Sequence, residues 1–146
     1  MRVVFRIGYR VGSAWWFITR PSPNGSKVVV RRGEQLLFIR LTYGQRDIWD
    51  LPGGTAAEEE TPEQTAAREL FEEVGLAGEL RLLGVWSGDG AARRATLHAF
   101  ETEVAAGAEP VLDDVEVAEA RWFDQDDLPD RITPVGKKIL KVALNA

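Results

Sequence analysis

No cysteine occurs anywhere in these 146 residues, which excludes disulfides, thiol catalysis and zinc held by cysteine. Histidine is almost as scarce: the only one, His98, shares a face with Thr96 and Phe100 in an alternating stretch. No second histidine exists and no serine or cysteine adjoins it, so His98 reads as structural. Long apolar runs are missing too. The longest, residues 14–18, falls far short of the ~20 residues that span a bilayer. Arg2, Arg6 and Arg10 interrupt any apolar core that a secretory signal would need, and a cytoplasmic protein is expected. Positive charge is in deficit, with 18 Lys and Arg against 23 Asp and Glu for a net of -5. That balance argues against a long nucleic-acid polymer as partner. It leaves room for a small anionic ligand, which a metal and a few arginines can compensate locally.

What remains is the composition of a globular chain, 45% hydrophobic and 28% charged, long enough for one domain that buries roughly two-thirds of its unfolded surface. Two parts are expected: an N-terminal segment with its linker, 1–26, and a domain, 27–146. In the first, Val4, Ile7, Val11, Trp15 and Ile18 follow helical spacing with Arg2, Arg6 and Arg10 on another face, although Gly8 and Gly12 weaken a helix. Such a helix would pack on the domain or across a homodimer interface. A second reading is an interfacial helix, basic on one side and tryptophan-rich on the other, touching a membrane surface. Residues 21–26 read as a linker or turn. Two apolar runs, 27–31 and 35–41, flank Arg32-Gly33-Glu34 as a hairpin. A polar loop, 43–47, then leads to a short strand, 48–51. Further strands are predicted at 79–86, 95–104 and 120–123, with a loop at 87–94. A last helix opens at Thr133-Pro134 and runs toward Leu144.

Residues 53–60 read as a loop, and 61–74 as a helix that announces both ends. Thr61 suits the N-cap, Pro62 the first turn and Gln64 the third position of a capping box, while Gly75 suits a left-handed C-cap. At ~100° per residue, Ala67, Leu70, Phe71 and Val74 share one face and Glu69, Glu72 and Glu73 the opposite one. Like charges at i+3 and i+4 repel by a few tenths of a kcal/mol per pair. Two explanations stand: a solvated acidic face, or a carboxylate cluster around a hard divalent cation, with Arg68 holding one carboxylate in place.

The surrounding residues favour the second. From Gly54 the chain reads five residues, Glu60, seven residues, then Arg68-Glu69-Leu70-Phe71-Glu72-Glu73-Val74-Gly75-Leu76. This resembles the signature of the Nudix hydrolases, G-x5-E-x7-R-E-U-x-E-E-x-G-U with U a bulky aliphatic residue, without a departure. Seven fixed letters and two aliphatic ones match by chance about once in 10⁹ or more rarely at average usage. The preceding Trp49-Asp50-Leu51-Pro52-Gly53-Gly54 is also how such domains approach their signature.

The resemblance implies an α/β fold, an α/β/α sandwich around a mixed β-sheet, and hydrolysis of a nucleoside diphosphate linked to another moiety. It implies Mg²⁺, with Mn²⁺ as a substitute. It also implies a metal set of Glu69, Glu72, Glu73 and the Gly53 carbonyl, with Glu69 and Glu72 shared between metal and base work and Arg68 orienting them. Glu60 would be a structural partner near the helix start. A further acid is expected ahead of the late tryptophan strand: Glu116 matches best as base or added ligand, with Asp113, Asp114 and Glu119 as near alternatives. Arg40 and Arg46, just ahead of the glycine loop, are candidates for substrate phosphates together with Gly54, and Arg93-Arg94 for closing over the ligand. Trp86 reads as core, with stacking on a base as the alternative. The expected partner is a small nucleotide derivative. An inactive nucleotide-binding or sensing module on the same scaffold is the competing reading, and it would be expected to lose a signature acid; none is missing. Ala91, with no proline or tyrosine between Leu76 and Glu109, counts against ADP-ribose and dinucleoside polyphosphates as substrates.

Overall fold

The computed structural model describes residues 24–44, 47–89, 94–112 and 115–145. The expected N-terminal helix, Arg46, Ala91, Arg93 and the two aspartates at 113 and 114 lie outside those residues. Six strands and two helices follow in order: β1 (Asn24–Arg32), β2 (Gln35–Leu41), β3 (Gly53–Thr55), α1 (Pro62–Val74), β4 (Arg81–Asp89), β5 (Arg94–Glu103), β6 (Val117–Asp124) and α2 (Pro134–Leu144). They build one mixed sheet in the order β4-β5-β1-β2-β6, with β3 attached to β1. The pairing of β1 with β5 is parallel and the other strand pairs are antiparallel.

Unbroken apolar runs in β1 and β2 are explained by burial on both sheet faces, as a covered central strand requires. Val28, Val30, Leu37 and Ile39 face one core together with Ala66, Leu70 and Val74 of α1. Val29, Leu36 and Phe38 face the other with Ile139, Leu140 and Ala143 of α2. Helix, sheet, helix is therefore the layering, as expected.

The caps of α1 form as the sequence indicates. The Thr61 side chain accepts from the Gln64 N–H, Gln64 answers to the Thr61 N–H, and Gly75 closes the helix at φ 69°. Which face is buried differs from expectation. Phe71 is 52% exposed and Ala67 is exposed, while Glu69, Glu72 and Glu73 are buried beside Leu70 and Val74. The buried arc is turned by about one residue step, ~100°, toward the acids, because those acids have partners inside the protein.

Several boundaries also move. Asn24, Gly25 and Ser26, expected in a linker, are the start of β1, where they pair with Thr96, Leu97 and His98 of β5 and where Gly25 and Ser26 pair with β3. The loop expected from 53 contains β3. The strand expected at 48–51 is reduced to two bridges, Ile39 with Asp50 and Trp49 with Ile132. The strand expected from 79 begins at Arg81 and continues through Ser87 to Asp89, and the late strand begins at Val117 rather than 120.

The shifts at 24–26, 48–51 and 53–55 share one cause. β2 is in ladder register with β1 only at Arg31–Leu36 and Arg32–Gln35. Farther along, the chain at 50–55 wedges between the two strands. The Ile39 and Asp50 backbones exchange hydrogen bonds of 2.8 and 2.9 Å, the Val28 N–H donates to the Pro52 carbonyl at 2.8 Å, and Gly53, Gly54 and Thr55 take up the N-terminal half of β1. The wedge opens the sheet and carries the paired glycines to α1.

Candidate active site

Both wedge glycines are required by close approach. A Cβ on Gly53 would stand 2.1 Å from the Ser26 carbonyl oxygen, and one on Gly54 would stand 2.6 Å from the Glu69 carboxylate. Without those methyls, the backbone lies directly against the acidic face of α1. The Gly53 N–H donates to Glu73 Oε1 at 2.8 Å, so the wedge and the helix are joined at one of the signature acids.

Arg68 organises the rest. Its Nε donates to Glu60 Oε2 at 2.6 Å and its Nη2 to Glu60 Oε1 at 3.0 Å, a bidentate pair. Its Nη1 donates to Glu69 Oε1 at 2.6 Å and Glu72 Oε1 at 2.7 Å, and its Nη2 also reaches the Thr55 carbonyl at 3.2 Å. All five guanidinium donors thereby have acceptors. Glu60 is itself fixed by the Ala57 N–H and the Thr65 hydroxyl, both at 2.9 Å. Burial pushes the Glu60 carboxyl upward, but the Arg68 hydrogen bonds and the contacts from Ala57 and Thr65 outweigh it and hold the group below its ordinary value. Burial acts against charge on Arg68 as well. The surrounding glutamates, Glu60 foremost, reverse that and raise its pKa above the usual arginine value.

Glu69 and Glu73 face an open cavity of about 490 Å³, lined also by Glu116, Gly53, Gly54, Thr55, Lys27, Asp50, Ile39, Leu41 and Tyr43. Glu72 sits behind them, on Arg68. Glu69, Glu72 and Glu73 are only 2–3% exposed, and Glu116 8%. Glu116 is the fourth acid the sequence pointed to. Its carbonyl accepts the Thr42 N–H at 2.9 Å and its Oε1 accepts the Tyr43 hydroxyl at 3.2 Å, which places it just ahead of β6.

Whether these residues suit a divalent cation can be judged from charge and shape. Three carboxylates, Glu60, Glu69 and Glu72, gather round one guanidinium and Glu73 adjoins them on the Gly53 N–H, a formal excess of three negative charges that burial makes costly without a further cation. The donors are all oxygen, as a hard ion prefers, and the glycine backbone leaves space where a side chain would collide. Among the described residues no three acidic side chains stand as a finished ligand set, because Glu69 and Glu72 each turn one oxygen to Arg68 and Glu73 one to Gly53. In charge, donor type and the space left by the glycines, the residues fit a hard divalent cation.

Other expected residues lie elsewhere. Arg40 is engaged by Glu119 (Nε to Oε1, 2.9 Å) across the β2–β6 pair and does not line the cavity. Glu119 also accepts from Arg121, so neither is positioned for chemistry. Trp86 is half-buried against the second core, in line with a core role. His98 lines a separate cavity of about 280 Å³ with Glu60 and Pro62. Lys27, Asp50 and Tyr43 were missed as cavity residues. Only Tyr43 carried a usable signal, continuing the i, i+2 face of Ile39 and Leu41 past the end of β2.

The comparisons agree with this geometry. The NUDIX domain model matches residues 22–142. A putative 8-oxo-dGTP diphosphatase 3 of Mycobacterium tuberculosis is 35% identical over 125 residues, covering 83% of this chain and 55% of that protein. A MutT-like protein of Streptomyces ambofaciens is 33% identical over 109 residues, covering 74% and 67%. Among solved structures, the MutT NUDIX hydrolase of Burkholderia pseudomallei aligns with a TM-score of 0.71 at 27% identity, covering 82% of this chain and 95% of that one. This chain spans about half the length of several of the curated relatives it matches. With the signature complete, two of its buried acids opening on a cavity, and a family model covering most of the sequence, the chain belongs to the Nudix family.

Proposed function

We propose that this chain is a divalent-cation-dependent pyrophosphohydrolase that cleaves a phosphoanhydride bond in a nucleoside diphosphate linked to another moiety, nucleoside triphosphates included. Members of the family generally use a divalent metal. The observation that carries the reading is the buried trio of Glu69, Glu72 and Glu73, the first two held with half-buried Glu60 on one arginine and the third on the Gly53 N–H, with Glu69 and Glu73 opening on a cavity of about 490 Å³ beside the Gly53-Gly54 backbone.

Glu69, Glu72, Glu73 and the Gly53 carbonyl would hold the cation, Mg²⁺ or in its place Mn²⁺. When bound, that ion neutralises phosphate charge and makes water acidic enough to attack near neutral pH. The chain's own residues do the rest. Arg68 fixes the directions of Glu69 and Glu72, and Glu60 fixes Arg68. Glu116, across the cavity, takes the proton from the attacking water, a step typically worth 10²–10⁴-fold. Gly54 lets a phosphate lie against the backbone. An oxidised purine nucleoside triphosphate is the first substrate to try, given the name of the mycobacterial relative. A cytoplasmic homodimer belongs to the same proposal.

The test is Glu73→Gln, assayed with Mg²⁺ or Mn²⁺ against 8-oxo-dGTP, dGTP and a panel of nucleoside diphosphate derivatives. The glutamine keeps an oxygen for the Gly53 N–H, so the melting temperature should stay near that of the parent. Turnover should fall about a hundredfold or more. Unchanged metal-dependent turnover would remove Glu73 from its role.

A further inference from the structure

The cavity has an acidic floor and a differently made wall. Ile39, Leu41 and Tyr43 occupy alternate positions along β2 and its continuation, and all three line the same cavity as Glu69, Glu73 and Glu116. Alternation puts them on one face. Burial falls along the row: Ile39 is 2% exposed at the bottom, Leu41 is half-buried, and Tyr43 at the rim is 55% exposed. An exposed tyrosine is ordinarily a mobile one. Here the ring is held at its far end, because the hydroxyl donates to Glu116 Oε1 at 3.2 Å. It is held at its near end by the adjoining Thr42, whose N–H donates to the Glu116 carbonyl at 2.9 Å and whose hydroxyl donates to the Val115 carbonyl at 2.9 Å.

A ring 55% exposed at the mouth of a polar cavity and tethered through its hydroxyl offers what a planar ligand group needs for stacking. Much of the ordering cost falls on the protein's own hydrogen bonds before any ligand arrives. The diphosphate of a substrate belongs at the carboxylates. The part of the substrate that does not react must then lie along the wall, toward the rim. We propose that Tyr43 is a specificity-determining residue, its ring the platform on which the heteroaromatic base of the nucleotide stacks. This deepens the pyrophosphohydrolase reading and rests on it for the place of the diphosphate. The recognition is of a π-face and is therefore tolerant of which base is presented.

The experiment compares two probes on the whole chain with Mg²⁺: the α,β-methylene analogue of dGTP, and methylenediphosphonate, which has the diphosphate skeleton without a nucleoside. Binding of each is measured by calorimetry to the parent, Tyr43→Leu and Tyr43→Phe. Tyr43→Leu should weaken the nucleotide analogue about tenfold or more and leave methylenediphosphonate unchanged. Tyr43→Phe, which keeps the ring and loses the tether, should stay much closer to the parent for both. The inference is overturned if Tyr43→Leu binds the nucleotide as the parent does, or weakens both probes equally. It is overturned as well if Tyr43→Phe loses as much as Tyr43→Leu, or if the parent prefers neither probe. Should the parent bind the nucleotide through its base yet hydrolyse no member of the substrate panel, the proposed activity fails while the platform stands.

Discussion

Arg68 and Arg40 show how differently two arginines can be used within one small domain. Arg68 is enclosed by carboxylates on three sides and its donors are exhausted, so it can only position. Arg40 has an equally close partner in Glu119, but at a strand edge where both remain near a third exposed, and its guanidinium also lies 5.3 Å from the Trp49 ring centre. The hydrogen bond from Arg40, aided by Arg121 and opposed by slight burial, holds the Glu119 carboxyl below its ordinary value. A depressed carboxyl stabilises the fold above its unfolded pKa, and that contribution is lost as pH falls through the folded value. Arg40→Met should therefore destabilise by about 0.5–1 kcal/mol at pH 7. Its gap to the parent should begin to close only below about pH 4.3. Urea titrations at pH 7, 5 and 3 measure this. A gap as wide at pH 3 as at pH 7 would mean that Arg40 acts through packing on Trp49 and not through Glu119.

At the level of elements, the N-terminus of α2 is tied into the wedge. Thr133 Oγ1 accepts the Gly136 N–H at 3.0 Å and donates to Asp50 Oδ1 at 2.8 Å. Asp50 also accepts the Leu51 N–H at 2.7 Å and Lys27 Nζ at 2.7 Å. One carboxylate thus links β1, the wedge and a helix cap. Asp50→Ala strands a partly buried ammonium and loosens the cap, so a loss of about 2–4 kcal/mol is expected in chemical denaturation. A loss below about 0.5 kcal/mol would show that the three elements are held without it.

The same junction marks where sequence reading ends. The caps of both helices depend on residues within four positions of each other, and the apolar runs of β1 and β2 depend on composition alone; both were legible. The wedge depends on hydrogen bonds from residue 28 to 52 and from 39 to 50, which no local pattern encodes. For that reason residues 48–51 passed for a full strand. Periodicity misjudged α1 on a different ground. It sorts glutamate outward by default, whereas here Arg68 and the wedge glycines make burial of Glu69, Glu72 and Glu73 tolerable, and Phe71 is displaced to solvent. The signature itself supplied the acids of the site, Glu116 followed by position, and the apolar wall was invisible because Ile39 and Leu41 look like any other strand residues.

Across the whole molecule the charge is unevenly spent. The chain carries a net of -5, and among the described residues ion pairs such as Arg31 with Glu101 and Lys27 with Asp50 offset some of its acids, yet the acidic excess at the opened sheet is buried. A bound cation must then be a stabiliser of the fold as well as a reagent. For one site that excludes the unfolded chain, occupancy at a hundred times the dissociation constant contributes about 2.7 kcal/mol. In a domain of this size that raises the melting temperature by roughly 5–10 °C. Melting curves should therefore move upward with Mg²⁺ or Mn²⁺ at constant ionic strength, and return on chelation. In Glu73→Gln most of the rise should vanish, while Arg40→Met, away from the cavity, should keep it. A merely solvated acidic helix predicts no divalent effect beyond that of matched monovalent salt, and that result would remove the cation from the carboxylates of α1.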